Sequence, residues 1–456
     1  MRNTLLYKGL FLMMAVLASM VTTSCEDQPD EYKSTGGVPT VHYIRPVNVE
    51  YKDQLLTEAS MGTTVCIVGE NLRSIKEMYF NDCSAVLNTS YMTDNTLIVT
   101  VPKDIPGTVT DKIYFITSGK KEVTYDFHVI IPGPAVTSMS NEWAAPGEEV
   151  TIVGDYFLDY EDNPLVVKFG DYELDRSYIK SITKTSITFT MPENVPEENV
   201  TVTSVYGTDT SKFMYMDTRG MLFDFDTPCF TGTVLGNNGW HGRDIISDET
   251  SLSGNYLVLG GGKTLDEDGA WNDGDFSFEY WCGDWETPQA YSSHPRISDL
   301  ADFSHPDDLS LKFEINIPEE NAWSAAPIQI YFGSVAQITG AGGGEDIYGN
   351  TTAGANNTFF HEQGKLSRAL YMPWKDEEDL LYDTKGKWMT VTIPLTDFIW
   401  DWDGNKISST LLSPADFGSF NMFVVRGGYN DKSALPEGVE CNPNIKIDNI
   451  RVIPNK

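Results

Sequence analysis

The 456-residue sequence carries 10 Trp, 22 Tyr and 22 Phe, and every tryptophan except Trp143 lies beyond Arg219. An indole or phenol ring can stack on the C–H face of a pyranose, because both surfaces are poorly hydrated and gain by contact. Several of these rings stand in turn contexts. Trp323, in Glu319-Glu-Asn-Ala-Trp-Ser-Ala-Ala326, falls between two strand-like runs, where a large ring is hard to bury. Tyr371 and Trp374, in Leu370-Tyr-Met-Pro-Trp-Lys375, share a loop that Pro373 stiffens, which lowers the ordering cost of binding. Trp281 and Trp285 close on Cys-Gly-Asp, and Trp400 with Trp402 rank behind them. Trp388 alternates inside a strand-like run and reads as core. Arg426, ahead of Gly427-Gly428, could offer paired donors to sugar hydroxyls; a salt bridge within the fold is its other use.

Catalytic patterns are missing. A retaining glycosidase needs two carboxylates about 5 Å apart, and the E-x-D-x-x-E run that would set them on one strand does not occur. Neither do G-x-S-x-G, H-E-x-x-H or a phosphate-binding loop. The sequence therefore reads as a binding protein and not an enzyme, with a protein-binding adhesin and a glycoside hydrolase as the contrasting classes. With 66 Asp and Glu against 32 Lys and Arg, the net charge is −34, which repels nucleic acid and anionic membrane surfaces. Acidic turns such as Asp266 to Asp275 and Asp401 to Asn405 do not match a calcium loop. A structural calcium is the most they would hold; no cofactor and no catalytic metal are expected.

The N-terminus sets the compartment. Arg2 and Lys8 precede the apolar run Leu10 to Val21 and then Thr22-Thr23-Ser24-Cys25, a secretory signal shorter than the roughly 18 residues a spanning helix needs. Cys25 at the cleavage point resembles a bacterial lipoprotein signal, although Thr22 stands where such signals usually have Leu. The resemblance implies acylation of Cys25, so that residues 1–24 are removed and 25–37 form a flexible tether. Cys66, Cys83, Cys229, Cys282 and Cys441 remain, with no metal-ligand spacing. Cys66 and Cys83 could bridge; free buried thiols are the alternative.

An internal repeat follows. Gly62-Thr-Thr-Val-Cys-Ile-Val-Gly69-Glu-Asn-Leu72 returns as Gly147-Glu-Glu-Val-Thr-Ile-Val-Gly154-Asp-Tyr-Phe157, and Thr96 to Pro102 returns as Ser186 to Pro192. Short β-branched runs punctuated by Gly, Pro, Asn and Asp predict an all-β sandwich in each copy. Gly69 and Gly154 are expected where the chain reverses at positive φ. The pattern V-x-I-x-G is similar to the IPT/TIG family of immunoglobulin-like domains, placed at 38–132 and 133–217. Beyond them, 218–456 alternates in runs such as Leu309 to Ile317 and Ile445 to Ile453, which predicts a larger antiparallel sandwich.

Phe223-Asp-Phe-Asp226 and Ile445-Lys-Ile-Asp-Asn-Ile-Arg-Val-Ile453 resemble the opening and closing of jelly-roll carbohydrate-binding modules. With the lipoprotein start and tandem IPT/TIG segments, the chain resembles Bacteroidetes surface glycan-binding proteins encoded with polysaccharide utilization systems. That resemblance implies two immunoglobulin-like sandwiches followed by a jelly-roll-like one. It further implies capture of a neutral polysaccharide, such as a β-glucan or hemicellulose, at the extracellular face of the outer membrane. The implied partners are an outer-membrane glycan transporter and its companion binding protein, with the membrane touched only through the anchor.

Overall fold

The computed structural model describes residues 36–227, 245–266, 274–280, 295–333, 344–345, 351–352, 367–401, 404–406, 412–414, 417–426 and 436–455. Among them there are strands and short 3-10 turns and no α-helix, and no helix is long and apolar enough to cross a membrane. The chain divides into two compact units, Met1–Pro132 and Gly133–Lys456.

The first unit has β1 (Thr40–Pro46), β2 (Glu58–Ser60), β3 (Thr64–Glu70), β4 (Ile75–Phe80), β5 (Cys83–Ser84), β6 (Thr96–Thr100), β7 (Lys112–Thr117), β8 (Glu122–Asp126) and β9 (His128–Ile130). Sheet β1-β3-β6 and sheet β5-β4-β7-β8 form the sandwich. Alternate residues, Val65 and Ile67 on β3, Leu97 and Val99 on β6, Met78 and Phe80 on β4, Ile113 and Phe115 on β7, are buried, as a period of two requires. Cys66 and Cys83 are not bridged to each other; burial pushes the Cys66 thiol up.

The second unit opens with the repeat: β10 (Ala135–Met139), β11 (Glu149–Asp155), β12 (Val166–Phe169), β13 (Tyr172–Glu173), β14 (Ile179–Ile182), β15 (Ser186–Thr190), β16 (Asn199–Ser204) and β17 (Gly207–Met214). They pair as β10-β11-β15-β14 and β13-β12-β16-β17. The two repeat glycines correct the expectation made for them. Neither Gly69 nor Gly154 has positive φ; Asn71 (57°) and Tyr156 (56°) do. Glycine is required because a Cβ would strike the carbonyl of Thr40 or Ala135 on the neighbouring strand, beside a bulge in β1 and in β10.

The rest of this unit is a larger sandwich of β18 (Met221–Phe223), β19 (Ile245–Ile246), β20 (Tyr256–Leu259), β21 (Ser277–Tyr280), β22 (Leu309–Asn316), β23 (Ile328–Gly333), β26 (Arg368–Tyr371), β27 (Met389–Pro394), β28 (Ser419–Val424) and β29 (Ile445–Pro454), while β24 (Gly344–Glu345) and β25 (Thr351–Thr352) pair with each other in a separate ribbon. One sheet runs β19-β20-β29-β22-β27 with β18 also on β29, and the other runs β21-β28-β23-β26. Their facing sides share one core with Phe223, Phe278, Phe313, Ile330, Phe420 and Ile447.

A buried ionic joint ties the repeat to this sandwich. Glu142, on the turn after β10, pairs with Lys312 of β22 and, at 3.0 Å, with Arg451 of β29; Arg451 also lies 2.7 Å from Glu314. The Glu142 N–H donates to the Thr390 hydroxyl (2.8 Å), which donates to Glu314 (3.0 Å). Burial lowers the Lys312 pKa and raises that of Glu314. Burial also works against the Arg451 charge, but the Glu314 and Glu142 carboxylates outweigh it and its pKa rises. Two cations and two anions cancel, so the group is held by mutual pairing with little charge left over.

Candidate functional site

The sheet β21-β28-β23-β26 has two chemically different faces, and the alternation of its strands explains why. Phe278, Tyr280, Phe420, Met422, Ile328, Ile330 and Ala369 point to the core. Their alternates stand in register on the opposite face as two rows, Glu279-Asn421-Tyr331-Arg368 and Ser277-Phe423-Gln329-Leu370. Arg368 lies over the Tyr331 ring at 4.8 Å, Tyr331 stacks on Phe423 at 6.1 Å, and Arg368 Nη1 donates to Gln329 Oε1 at 2.8 Å. All but Leu370 are buried. This face mixes flat rings with amide, guanidinium and carboxylate groups that pair with one another out of contact with solvent.

At the edge of the same sheet the backbone of Arg368 bridges that of Trp400 (Arg368 N–H to Trp400 O, 3.0 Å). Beside this bridge lies an open cleft of about 410 Å³ lined by Tyr371, Met372, Pro373, Ile399 and Trp400, with Lys375, Asp376, Thr392 and Asp397 at its rim. The Tyr371 and Trp400 rings are half-buried, and the four rim residues are exposed. Burial and a hydrogen bond with Tyr382 push the Tyr371 phenol well above its usual value, so it stays protonated. Two partly exposed rings edged by hydrogen-bonding groups suit a neutral, hydroxyl-rich ligand.

Residues 215–454 match the family described as surface glycan-binding protein B xyloglucan binding domain, and residues 134–217 match the IPT/TIG domain. The crystal structure of the surface glycan-binding protein PbSGBP-B from Prevotella bryantii is 58% identical, with a TM-score of 0.82 over 92% of this chain and 99% of that one. The chain belongs to the surface glycan-binding protein B family. An SGBP-B from a complex xyloglucan utilization locus in Bacteroides uniformis is 18% identical, with a TM-score of 0.40 over 92% of this chain and all of its own. An IPT/TIG domain-containing protein of Bacteroides ovatus is 28% identical over 218 residues, 43% of this chain; the match spans 42% of that relative.

Within this SGBP-B family member the sequence-derived candidates separate. Trp323 is fully buried, which corrects the expectation of a displayed ring. Its backbone pairs with Tyr382 in both directions (2.8 and 2.9 Å) and its Nε1 donates to Ala326 O at 3.1 Å, so the turn folds inward and carries the ring into the core. Trp374 is fully buried too: the 3-10 turn Pro373–Asp376 puts it on the core side, and only its neighbours face the cleft. Tyr371 lines the cleft. Arg426 is buried with Nη1 3.7 Å from Glu437, the internal ion pair that was its alternative use. Trp388 is buried against Tyr256, ring centroids 5.7 Å apart. Trp281, Trp285, Trp402 and Cys25 lie outside the described residues. Trp400, which the sequence ranked behind the other rings, lines the cleft, and Gln329, Tyr331 and Arg368, which it did not single out, meet in one buried cluster. The alternation in Ile328 to Phe332 was the signal that could have found Gln329 and Tyr331.

Proposed function

We infer that this protein captures a neutral β-glucan of the xyloglucan type through residues 218–456, without cleaving it. The observation that carries this reading is the match of residues 215–454 to the xyloglucan-binding domain family; the cleft between Tyr371 and Trp400 supports it. Ring stacking gives the binding energy and the rim groups select hydroxyl patterns. Cleavage would need a desolvated carboxylic acid as proton donor, whereas the two carboxylates of the cleft, Asp376 and Asp397, are both exposed. The protein acts from the outer face of the outer membrane, held by acylated Cys25, and passes the chain to a neighbouring glycan transporter and its companion binding protein.

Native gel electrophoresis in the presence of xyloglucan, mixed-linkage glucan, galactomannan and an anionic pectin tests this reading. Retardation by a β-glucan, with no new reducing ends after prolonged incubation, is expected. Retardation by none of the glycans contradicts binding, and new reducing ends contradict the non-catalytic mechanism.

A further inference from the structure

The cleft beside Trp400 lies where both sheets of the larger sandwich end. β26 is the last strand of one sheet and β27 of the other, and Leu370 of β26 and Thr392 of β27 both line the cleft. Alternation fixes which peptide groups each edge turns outward. On β26, Arg368 faces out, because it exchanges both main-chain bonds with Trp400 (3.0 and 3.2 Å). Leu370, two positions on, therefore faces out as well. On β27 the outward residue Thr390 gives its N–H to Ser140 O at 2.9 Å, and Thr392 is the next in that row. Among the described residues, no hydrogen bond reaches the outward N–H or C=O of Leu370 or Thr392.

On each edge a single residue offers both groups. Past Leu370 the chain enters the 3-10 turn, and the Met372 carbonyl takes the Lys375 N–H (3.3 Å). Past Thr392 stands Pro394, which has no N–H to offer. A strand added to a sheet edge needs several consecutive open groups, so neither edge suits a peptide. A hydroxyl-bearing ligand needs only one donor and one acceptor. In an extended residue these stand side by side, which is why one ladder residue exchanges both bonds with a single residue opposite. Two hydroxyls on adjacent ring carbons match that pair, one accepting and the other donating. In a β-1,4-linked backbone each glucosyl ring keeps such a diol at its second and third carbons. Successive rings turn over, so the diols alternate between the two sides of the chain, and the cleft has one open main-chain pair on each of its two sides.

We propose that the main chain of Leu370 and of Thr392 reads the diols of two successive rings of a β-1,4-linked backbone, while Tyr371 and Trp400 stack on ring faces. This rests on glycan capture at the cleft and adds the linkage that the cleft selects. A β-1,3-linked chain uses one hydroxyl of the diol for its linkage, so its inner rings carry no adjacent free hydroxyls. An α-1,4-linked chain keeps the diols but winds them to one side, where they meet one edge and miss the other.

Replacing the Leu370 or the Thr392 amide by an ester, with the matching hydroxy acid in the full chain, deletes one outward N–H and keeps the side chain. Isothermal titration with xyloglucan oligosaccharide should show each ester chain binding about tenfold more weakly, as when one neutral donor is lost, with melting still cooperative. In the parent chain, saturation with the same oligosaccharide should slow hydrogen exchange about tenfold at the amides of Leu370 and Thr392. Laminarihexaose (β-1,3) and maltohexaose (α-1,4) should bind the parent at least tenfold more weakly than cellohexaose (β-1,4). If the parent binds xyloglucan and either ester chain binds it as tightly, the main-chain contact is overturned and glycan capture stands. Exchange that stays fast at either amide in the saturated parent has the same meaning. Equal affinity for the three hexaoses overturns the linkage choice, and a parent chain that binds no glycan overturns both the contact and the capture.

Discussion

The aromatic residues divide by whether their rings meet solvent, and the division sets what each substitution does. Trp400 is half-buried at the cleft, so Trp400→Ala should weaken glycan binding about tenfold or more, the order expected when a stacked ring is lost, while urea unfolding moves little. Trp323 is core, and Trp323→Ala should cost about 3–5 kcal/mol of stability in the same urea titration. If Trp323→Ala leaves stability intact and removes binding, the two assignments are reversed. The local sequence around Trp323 reads correctly as a turn, but exposure does not follow from a turn. Tyr382, about sixty residues away in the chain, supplies the backbone partners that fold this turn inward, and a pairing at that separation has no local signature. Asp448 was not singled out at all. Burial first, then the Glu314 and Asp226 charges, raise its pKa to about 8, against about 3.9 in an unfolded chain. Between those values the folded state keeps a proton that the unfolded state releases. This contribution to stability is therefore complete below about pH 4 and falls as pH rises toward 8, by about 1.4 kcal/mol per pH unit at most, then levels off. Asp448→Asn should remove it, so denaturation across pH 4 to 9 should show the variant gaining on the parent up to pH 8 and no further.

Strands and their partners account for how well the sequence could be read. Period-two runs such as Leu309 to Ile317 located strands, because alternation is a property of neighbours. The glycines of the repeat were located correctly and explained wrongly: they admit the carbonyls of Thr40 and Ala135, a demand that arises only once two strands are paired. The joint through Glu142, Lys312, Glu314 and Arg451 was invisible for the same reason, since Glu142 and Arg451 stand 309 positions apart. It makes the second immunoglobulin-like copy part of the glycan-binding unit. Glu142→Gln leaves Lys312 and Arg451 buried with Glu314 as the remaining anion of the group, and should cost on the order of 3–5 kcal/mol in urea unfolding. A chain of residues 218–456 alone exposes the same charges, so calorimetry should find it melting well below a chain of residues 133–456. Equal melting temperatures would show that the joint contributes nothing.

For the molecule as a whole, the order of parts and the excess of acid were both legible, because order and composition need no geometry. The glycan surface was not, since it depends on which rings the larger sandwich turns outward. The anchor has its own test: Cys25→Ala should move the protein from the membrane fraction to the soluble one, with glycan retardation unchanged, and persistence in the membrane fraction would contradict acylation. The proposed capture depends on stacking by a partly exposed ring at the sheet edge, and stacking on a neutral ligand is insensitive to salt. Isothermal titration of the intact chain and its Trp400→Ala variant with xyloglucan oligosaccharide, at low and high salt, measures this directly. Saturable heat of nearly equal affinity is expected at both ionic strengths, at least tenfold weaker in the variant. No heat with the parent chain, or identical isotherms for the two proteins, would contradict capture by this ring.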